Sequence, residues 1–246
     1  MHQKKFRQKY NKFIAEGDKI IREMLAQDRY PIRELYALPA WLAAHEREVA
    51  NRPFDPQVIN EKELAQISQL RTPNQVLVIA DIPPAPAIDY ARGWGLFLDG
   101  IQDPGNLGTI LRIADWFAMD YVVAGPGTVE LFNSKVIQAT MGAFLRVPLI
   151  EATLDDILAE EPGLPVLATA MEGESVFTTS LPDHGLLLIG NEGQGLQPAY
   201  LTRATQTISI PRAQGGGAES LNAGVATGIL CAQLRFNGST VRPFNS

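Results

Sequence analysis

The chain has 246 residues, 46% of them hydrophobic and 20% charged, and a formal net charge of −6 at pH 7. That length holds one large domain or two modest ones, each able to bury a core, in a soluble globular composition. No apolar run reaches the roughly 18 residues that span a membrane, and MHQKKFRQKY has no apolar signal core behind its basic residues. The single cysteine, Cys231, excludes an intrachain disulfide and fits a reducing cytoplasm, and with His2, His45 and His184 scattered no Cys/His zinc cluster is expected.

The charge is unevenly spread. Residues 1–33 hold nine Lys/Arg against four acids, a net of +5, which leaves −11 for the rest. Such asymmetry suits a basic end that meets a polyanion and an acidic remainder that does not; an ordinary solvated helix face is the plain alternative.

In chain order, apolar residues Phe13, Ile20, Ile21, Met24 and Leu25 at helical spacing predict a helix over residues 12–27. PIRELYAL reads as a strand and PAWLAAHEREVA as a helix with Pro39 near its first turn. A strand near FDPQVIN, a helix at EKELAQISQL and a strand at QVLVIADI complete a small α/β unit, residues 1–82. PPAPAIDYARGWG lacks periodicity and gives a linker at residues 83–93. The second domain, residues 94–246, opens with the strand GLFLDGI, the helix NLGTILRIADWFAM, the strand YVVAGP and the helix NSKVIQATMGAFL. RVPLIEA, LDDILAEE, PVLATAM, GLLLIGN and TQTISIP continue the alternation, and SLNAGVATGILCAQLRF closes it with a helix. Apolar strands interleaved with helices predict a parallel sheet buried on both faces.

In such sheets ligands bind beyond the carboxyl ends of the strands. Four loops there are well furnished: QDPGNLGTILR, with Asp103-Pro104-Gly105 as a turn and Asn106 opening a helix; Met171-Glu172-Gly173; Asn191-Glu192-Gly193-Gln194-Gly195; and QGGGAESLN, where Ser220 could cap the last helix. GNEGQG has neither dinucleotide spacing nor a P-loop lysine. Gly- and amide-rich loops converging on one pocket would offer backbone N–H and C=O groups to a neutral or mixed-charge ligand. The loops hold no His base, no paired nucleophile and no metal cluster, so a reaction relying on binding and orientation is expected.

DGIQDPGNLGTILR, LLLIGNEGQGL and ISIP…ESLNAGVATGILCAQL resemble, in order and spacing, the three signature motifs of the SpoU (TrmH-like) RNA ribose 2′-O-methyltransferases of the SPOUT class. The likeness covers residues 93–236, and residues 1–82 look more loosely like a ribosomal-protein-type RNA-binding domain. The resemblance implies a C-terminal trefoil knot, S-adenosylmethionine as cofactor and a homodimer formed through the knotted domain. It also implies RNA as substrate, with ribosomal RNA favoured over transfer RNA.

By the same resemblance Thr169, Gly190, Ile210 and Leu221 would line the cofactor, and Asn106, Arg112, Glu192, Ser220 and Asn222 would be the polar active-site positions. Guanidinium holds its proton above pH ~12, so Arg112 is expected to pair with a phosphate and steady alkoxide charge rather than act as a base, with Asn106 and Glu192 holding it. The small residues Ala223, Gly224, Ala226 and Gly228 suit either a subunit contact or close packing within the chain. RAQGGGA is longer and richer in glycine than many members carry, and its glycines, Gly215 to Gly217, are expected to let this wall order when cofactor or RNA arrives. Two rivals remain: a catalytically inactive RNA-binding protein on the same scaffold, and a nicotinamide-dependent oxidoreductase, which would need a Gly-x-Gly-x-x-Gly after the first strand.

Overall fold

The computed structural model describes residues 1–50 and 52–236; the end of the expected second domain, residues 237–246, lies outside them. Contacts divide the chain into two units, Met1–Ala85 with Glu130–Arg146, and Pro86–Val129 with Val147–Ser246.

The first unit is built on a mixed sheet of order β1-β4-β2-β3, from β1 (Lys12–Glu16), β2 (Ile32–Ala37), β3 (Gln57–Val58) and β4 (Val76–Asp81). β4 runs antiparallel to both β1 and β2, while β2 and β3 are parallel. Its helices are α1 (Lys4–Tyr10), α2 (Asp18–Leu25), α3 (Pro39–Ala44), α4 (Glu46–Val49), α5 (Glu61–Ile67) and, from the later segment, α7 (Ser134–Thr140).

The helix expected over residues 12–27 is therefore a strand, a break and a shorter helix. Phe13, Ile14, Ala15 and Glu16 are all buried, which a helix at the edge of a core cannot achieve because consecutive positions sweep around its axis. In β1 the alternate faces divide the work. Phe13 packs on the rings of Phe132, Tyr30 and Phe144, and Ile14 joins Leu64 and Leu77 on the other side. Gly17 ends the strand at φ +102°, a conformation L side chains avoid, and its N–H donates to Val76 C=O at 3.0 Å. Helical spacing survives only in α2, which buries Ile20, Ile21, Met24 and Leu25.

PAWLAAHEREVA divides at His45 into α3 and α4, and the strand near FDPQVIN shrinks to Gln57–Val58. α5 starts where Asn60 accepts from the Lys62 and Glu63 N–H groups at 2.9 and 3.0 Å, with Glu63 returning a bond to the Asn60 N–H.

The second unit is an all-parallel sheet of order β10-β8-β9-β5-β6-β7. Its strands are β5 (Trp94–Leu98), β6 (Tyr121–Ala124), β7 (Leu149–Glu151), β8 (Val166–Ser175), β9 (Gly185–Ile189) and β10 (Gln206–Ser209). The accompanying helices are α6 (Pro104–Trp116), α8 (Leu154–Glu160), α9 (Pro198–Leu201) and α10 (Ala223–Phe236). β5, β6 and β9 are buried along their whole length, as the apolar runs predict. From β5 the chain adds β6 and β7 on one side, then returns to place β8, β9 and β10 on the other. That reversal puts the ends of β5, β9, β8 and β10 side by side at a topological switch point. No helix among the described residues is long and apolar enough to cross a membrane.

Candidate active site

β5 and β9 are locked together beyond their last paired residues. The Asp99 N–H donates to Ile189 C=O at 2.9 Å, and the buried Asp99 carboxylate accepts from the Gln197 backbone N–H at 2.8 Å and from its side-chain amide at 2.7 Å. Residues 190–197 are thus tied back to β5 at their far end. Asn191 secures the near end: its amide donates to Gly100 C=O at 2.9 Å, and its oxygen accepts the Gly193 N–H at 2.9 Å. Backbone bonds between Asn191 and Gly195, 3.2 and 2.7 Å, close the turn. Asp99→Ala is expected to cost about 1–3 kcal/mol by stranding the Gln197 donors. A fall in Tm and weaker binding of S-adenosylhomocysteine would register it; an unchanged Tm would remove Asp99 from the scaffold.

β8 does not end with PVLATAM at Met171 as expected but continues through Glu172-Gly173 to Ser175. β10 pairs with both of its halves, yet the register jumps from Thr207–Ala168 to Ile208–Glu174, so residues 169–173 bow out of the ladder. Thr169 holds the bow in place by donating to Leu188 C=O at 2.8 Å.

These segments and residues 210–221 wall a cavity of about 720 Å³. Thr169, Gly190, Glu192, Ile210, Ser220 and Leu221 all line it, with Ile189, Ile208 and Leu230 as apolar floor. The volume lies within the usual range of roughly 300–1,000 Å³ for small-molecule sites. Glu192, Arg212 and Glu219 are the ionisable residues among the cavity's described lining, alongside the glycine- and amide-rich residues 190–195. S-Adenosylmethionine, a nucleoside with a sulfonium and an amino-acid tail, suits this lining; a polyphosphate, which needs several cations, does not, since Arg212 is the one cation among the described lining residues.

Beside the cavity lies a compact polar cluster. Glu192 Oε1 accepts from the Asn106 and Asn222 amides, both at 2.7 Å, and from the Ala223 N–H at 3.1 Å. Asn222 also donates to Asn106 Oδ1 at 2.9 Å, while its own oxygen accepts the Gly224 and Val225 N–H groups at 3.0 and 3.3 Å. Asn222, not Ser220, therefore caps α10. Nor does Asn106 cap α6: Asp103 does, accepting the Asn106 N–H at 2.8 Å with Pro104 in the first turn. The expected Asp-Pro-Gly turn is the helix start itself. Freed from capping, the Asn106 side chain reaches across to Glu192.

Arg112 is not part of this cluster. It lies six residues along α6 from Asn106, about 240° around the axis, and it is exposed with no hydrogen bond or ion pair to another described residue. Asn106 and Glu192 bond each other and Asn222 instead of holding it. Ser220 is exposed on the cavity rim. Cys231 is buried in α10, and burial pushes its thiol up to about 12, so at neutral pH it is a protonated core residue. Gly224 and Gly228 of α10 are taken up inside the chain, where a Cβ would stand 2.9 Å from Thr109 and 3.7 Å from Ile113 of α6.

Asp99 and Gln197 escaped the sequence reading, and Asn191 was named there only as the start of its loop. An Asp directly after an apolar strand and an Asn between Gly190 and Glu192 were the available signals, but their partners lie about ninety residues away in the chain.

A parallel sheet with a cavity at its switch point and an Asn–Glu–Asn cluster beside it is the arrangement that the resemblance to S-adenosylmethionine-dependent RNA methyltransferases of the SPOUT class implies. The profile of the SpoU rRNA Methylase family matches residues 94–232, and that of the MRM3-like substrate binding domain matches residues 1–78. The chain belongs to the SpoU rRNA Methylase family. It is 30% identical to the 23S rRNA (guanosine(2553)-2′-O)-methyltransferase RlmP of Bacillus subtilis, over 96% of this chain and 93% of that one. Over 57% of each chain it is 36% identical to the 23S rRNA (guanosine-2′-O-)-methyltransferase RlmB of Neisseria meningitidis. Among solved structures, an AdoMet-bound rRNA methyltransferase from Sinorhizobium meliloti superposes with a TM-score of 0.85 at 28% identity, covering 97% of this chain and 92% of that chain. The resemblance read from the three motifs is borne out, and the oxidoreductase alternative falls.

Proposed function

We propose that this protein transfers a methyl group from S-adenosylmethionine to the ribose 2′-hydroxyl of a guanosine in 23S ribosomal RNA. In this reading residues 1–82 bind substrate and residues 94–246 form the knotted catalytic domain. The observation that carries it is the position of Glu192, which both lines the cavity and organises Asn106 and Asn222 beside it. The guanosine and the ribosomal target are supported by what RlmP and RlmB act on, and the cofactor by the AdoMet-bound relative.

S-Adenosylmethionine, when bound, supplies an electrophilic methyl on a sulfonium whose thioether leaves readily. The chain's task is alignment of a weak hydroxyl nucleophile, which in favourable cases lowers a barrier by roughly 7–11 kcal/mol. Thr169, Gly190, Ile210 and Leu221 hold the cofactor, largely through backbone. Glu192, Asn106 and Asn222 form a rigid polar wall that orients the ribose, with Ser220 on the rim. Arg112, unpaired among the described residues, pairs with an RNA phosphate and steadies alkoxide charge. Residues 213–217 complete the wall as ligand arrives.

The protein works as a homodimer in this reading. Support comes from Trp116 at the end of α6, 77% exposed, and from Val225 and Phe236, 52% and 48% exposed, about three turns apart on one side of α10.

Mapping 2′-O-methyl marks in ribosomal and transfer RNA from cells with and without the gene tests the assignment. Loss of one guanosine mark in 23S RNA is expected, and loss of none would sink it. Arg112→Lys keeps the charge but not the planar fork, so kcat should fall on the order of tenfold or more with cofactor affinity intact. Full activity in that variant would rule out a guanidinium-specific role.

A further inference from the structure

α1 has an inverted surface. Its one buried side chain is Arg7, 4% exposed, while Phe6 and Tyr10 stand 39% and 50% exposed. The Arg7 guanidinium donates to the Met1 and His2 carbonyls, both at 2.9 Å, and forms an ion pair with Glu130 of the same unit. At the other end Asn11, in the left-handed conformation, donates from its amide to Ile82 C=O at 2.8 Å and accepts the Ile82 N–H at 2.9 Å. A helix of seven residues is not stable by itself, so these ties fix its orientation. They hold its aromatic face outward, although turning Phe6 and Tyr10 inward would gain hydrophobic burial without the desolvation of an arginine.

The outward face is ordered and cationic. Phe6 and Tyr10, one helical turn apart, have ring centroids 6.5 Å apart and planes 21° from parallel. The Lys5 ammonium lies 5.0 Å from the Phe6 centroid and that of Lys9 lies 5.1 Å from the Tyr10 centroid. Lys4 and Lys12 flank them, and residues 1–15 contain no acid. Glu16, the first acid in the chain, is buried and engaged by the Gln69 N–H at 2.9 Å and by the Ser68 hydroxyl. Two near-parallel exposed rings among four lysines match what an unpaired strand offers: flat base faces and a polyanionic backbone. A duplex buries its base faces, and an apolar protein partner would leave the ammonium groups desolvated and unpaired.

We propose that Phe6 and Tyr10 of α1 form a stacking platform for unpaired bases of the RNA substrate, with Lys4, Lys5, Lys9 and Lys12 contacting the adjoining phosphates. The assignment rests on the RNA-methylating reading above and adds to it a single-stranded segment that the first unit grips. Phe6 and Tyr10 are positioning residues for substrate, remote from any bond that changes.

The full chain, titrated with a labelled single-stranded oligoadenylate, with an RNA duplex of the same length and with phosphatidylserine vesicles, tests it. F6A/Y10A should weaken oligoadenylate binding on the order of ten- to a hundredfold and leave duplex binding within about twofold. F6Y should retain wild-type affinity. K5Q/K9Q should weaken both RNAs and flatten the salt dependence by about 0.7 in slope per charge on the single strand. S-adenosylhomocysteine affinity should match wild type in every variant, since none of these residues lines the cavity. Unchanged oligoadenylate affinity in F6A/Y10A, an equal loss on the duplex, or a loss confined to the vesicles would each overturn the platform. Failure of the enzyme reading would show elsewhere, as absence of methyl transfer by the wild-type chain.

Discussion

Gly190→Ala should weaken cofactor binding roughly five- to a hundredfold without unfolding the protein. A Cβ at this position would stand 2.4 Å from the Gly195 carbonyl carbon and 2.5 Å from the Leu196 N, both backbone atoms that cannot swing aside. The turn of residues 190–195 would have to open, and it is pinned by the Asn191–Gly195 bonds and by Asp99 through Gln197. Overpacking of this kind costs about 1–3 kcal/mol, which as lost affinity is roughly five- to a hundredfold. Calorimetry with S-adenosylhomocysteine reads it directly. Gly193→Ala is the matched control on the same turn: its nearest neighbour would be Asn191 Oδ1 at 3.5 Å, an ordinary contact, so affinity should stay within about twofold. Equal behaviour of the two variants would show that close backbone approach at Gly190 does not shape the pocket.

Glu192 should show a different signature, a loss of turnover larger than its loss of binding. Removing the carboxylate in Glu192→Ala takes the shared acceptor from the Asn106 amide, the Asn222 amide and the Ala223 N–H at once. The wall beside the cavity then loses its geometry, and misplacement of about 1 Å in an alignment-driven reaction costs on the order of 10²-fold in rate. The expected result is that drop in kcat, measured by transfer of labelled methyl to 23S RNA, with KM for the cofactor changed only a fewfold. Glu192→Gln separates two roles. Its amide oxygen still accepts all three bonds, so activity within about tenfold of wild type marks Glu192 as a positioning group. A loss as deep as the alanine variant's marks its negative charge as necessary.

Much of the second unit was legible because its signals are local. The apolar runs in β5, β6 and β9 announce strands buried on both faces, and such strands are parallel and covered by helices. The cavity-lining positions Thr169, Gly190, Ile210 and Leu221 were implied by the family resemblance of the motifs; Gly190 and Ile210 directly follow β9 and β10, while Thr169 lies within β8 and Leu221 well beyond β10. The first unit was harder. Residues 12–16 satisfy a helical pattern as readily as a strand when read alone, and only pairing with β4 and burial on both faces make them β1. The caps misled for a related reason. Asp103 and Asn106 can each cap α6, as Ser220 and Asn222 can each cap α10, and local chemistry does not choose between them.

By itself the sequence determined the class of fold, the loops that carry the chemistry and the side chains available there, because these depend on hydrophobic run length, glycine placement and residue type near in the chain. Tertiary structure alone decided how those side chains are used. It put Asn106, Glu192 and Asn222 on one hydrogen-bonded cluster and left Arg112 outside it. It spent Gly224 and Gly228 on packing against α6, and it turned Phe6 and Tyr10 outward by burying Arg7 against Glu130. Each of these depends on partners distant in the chain, whose approach is set by strand order and helix packing rather than by any spacing along the sequence.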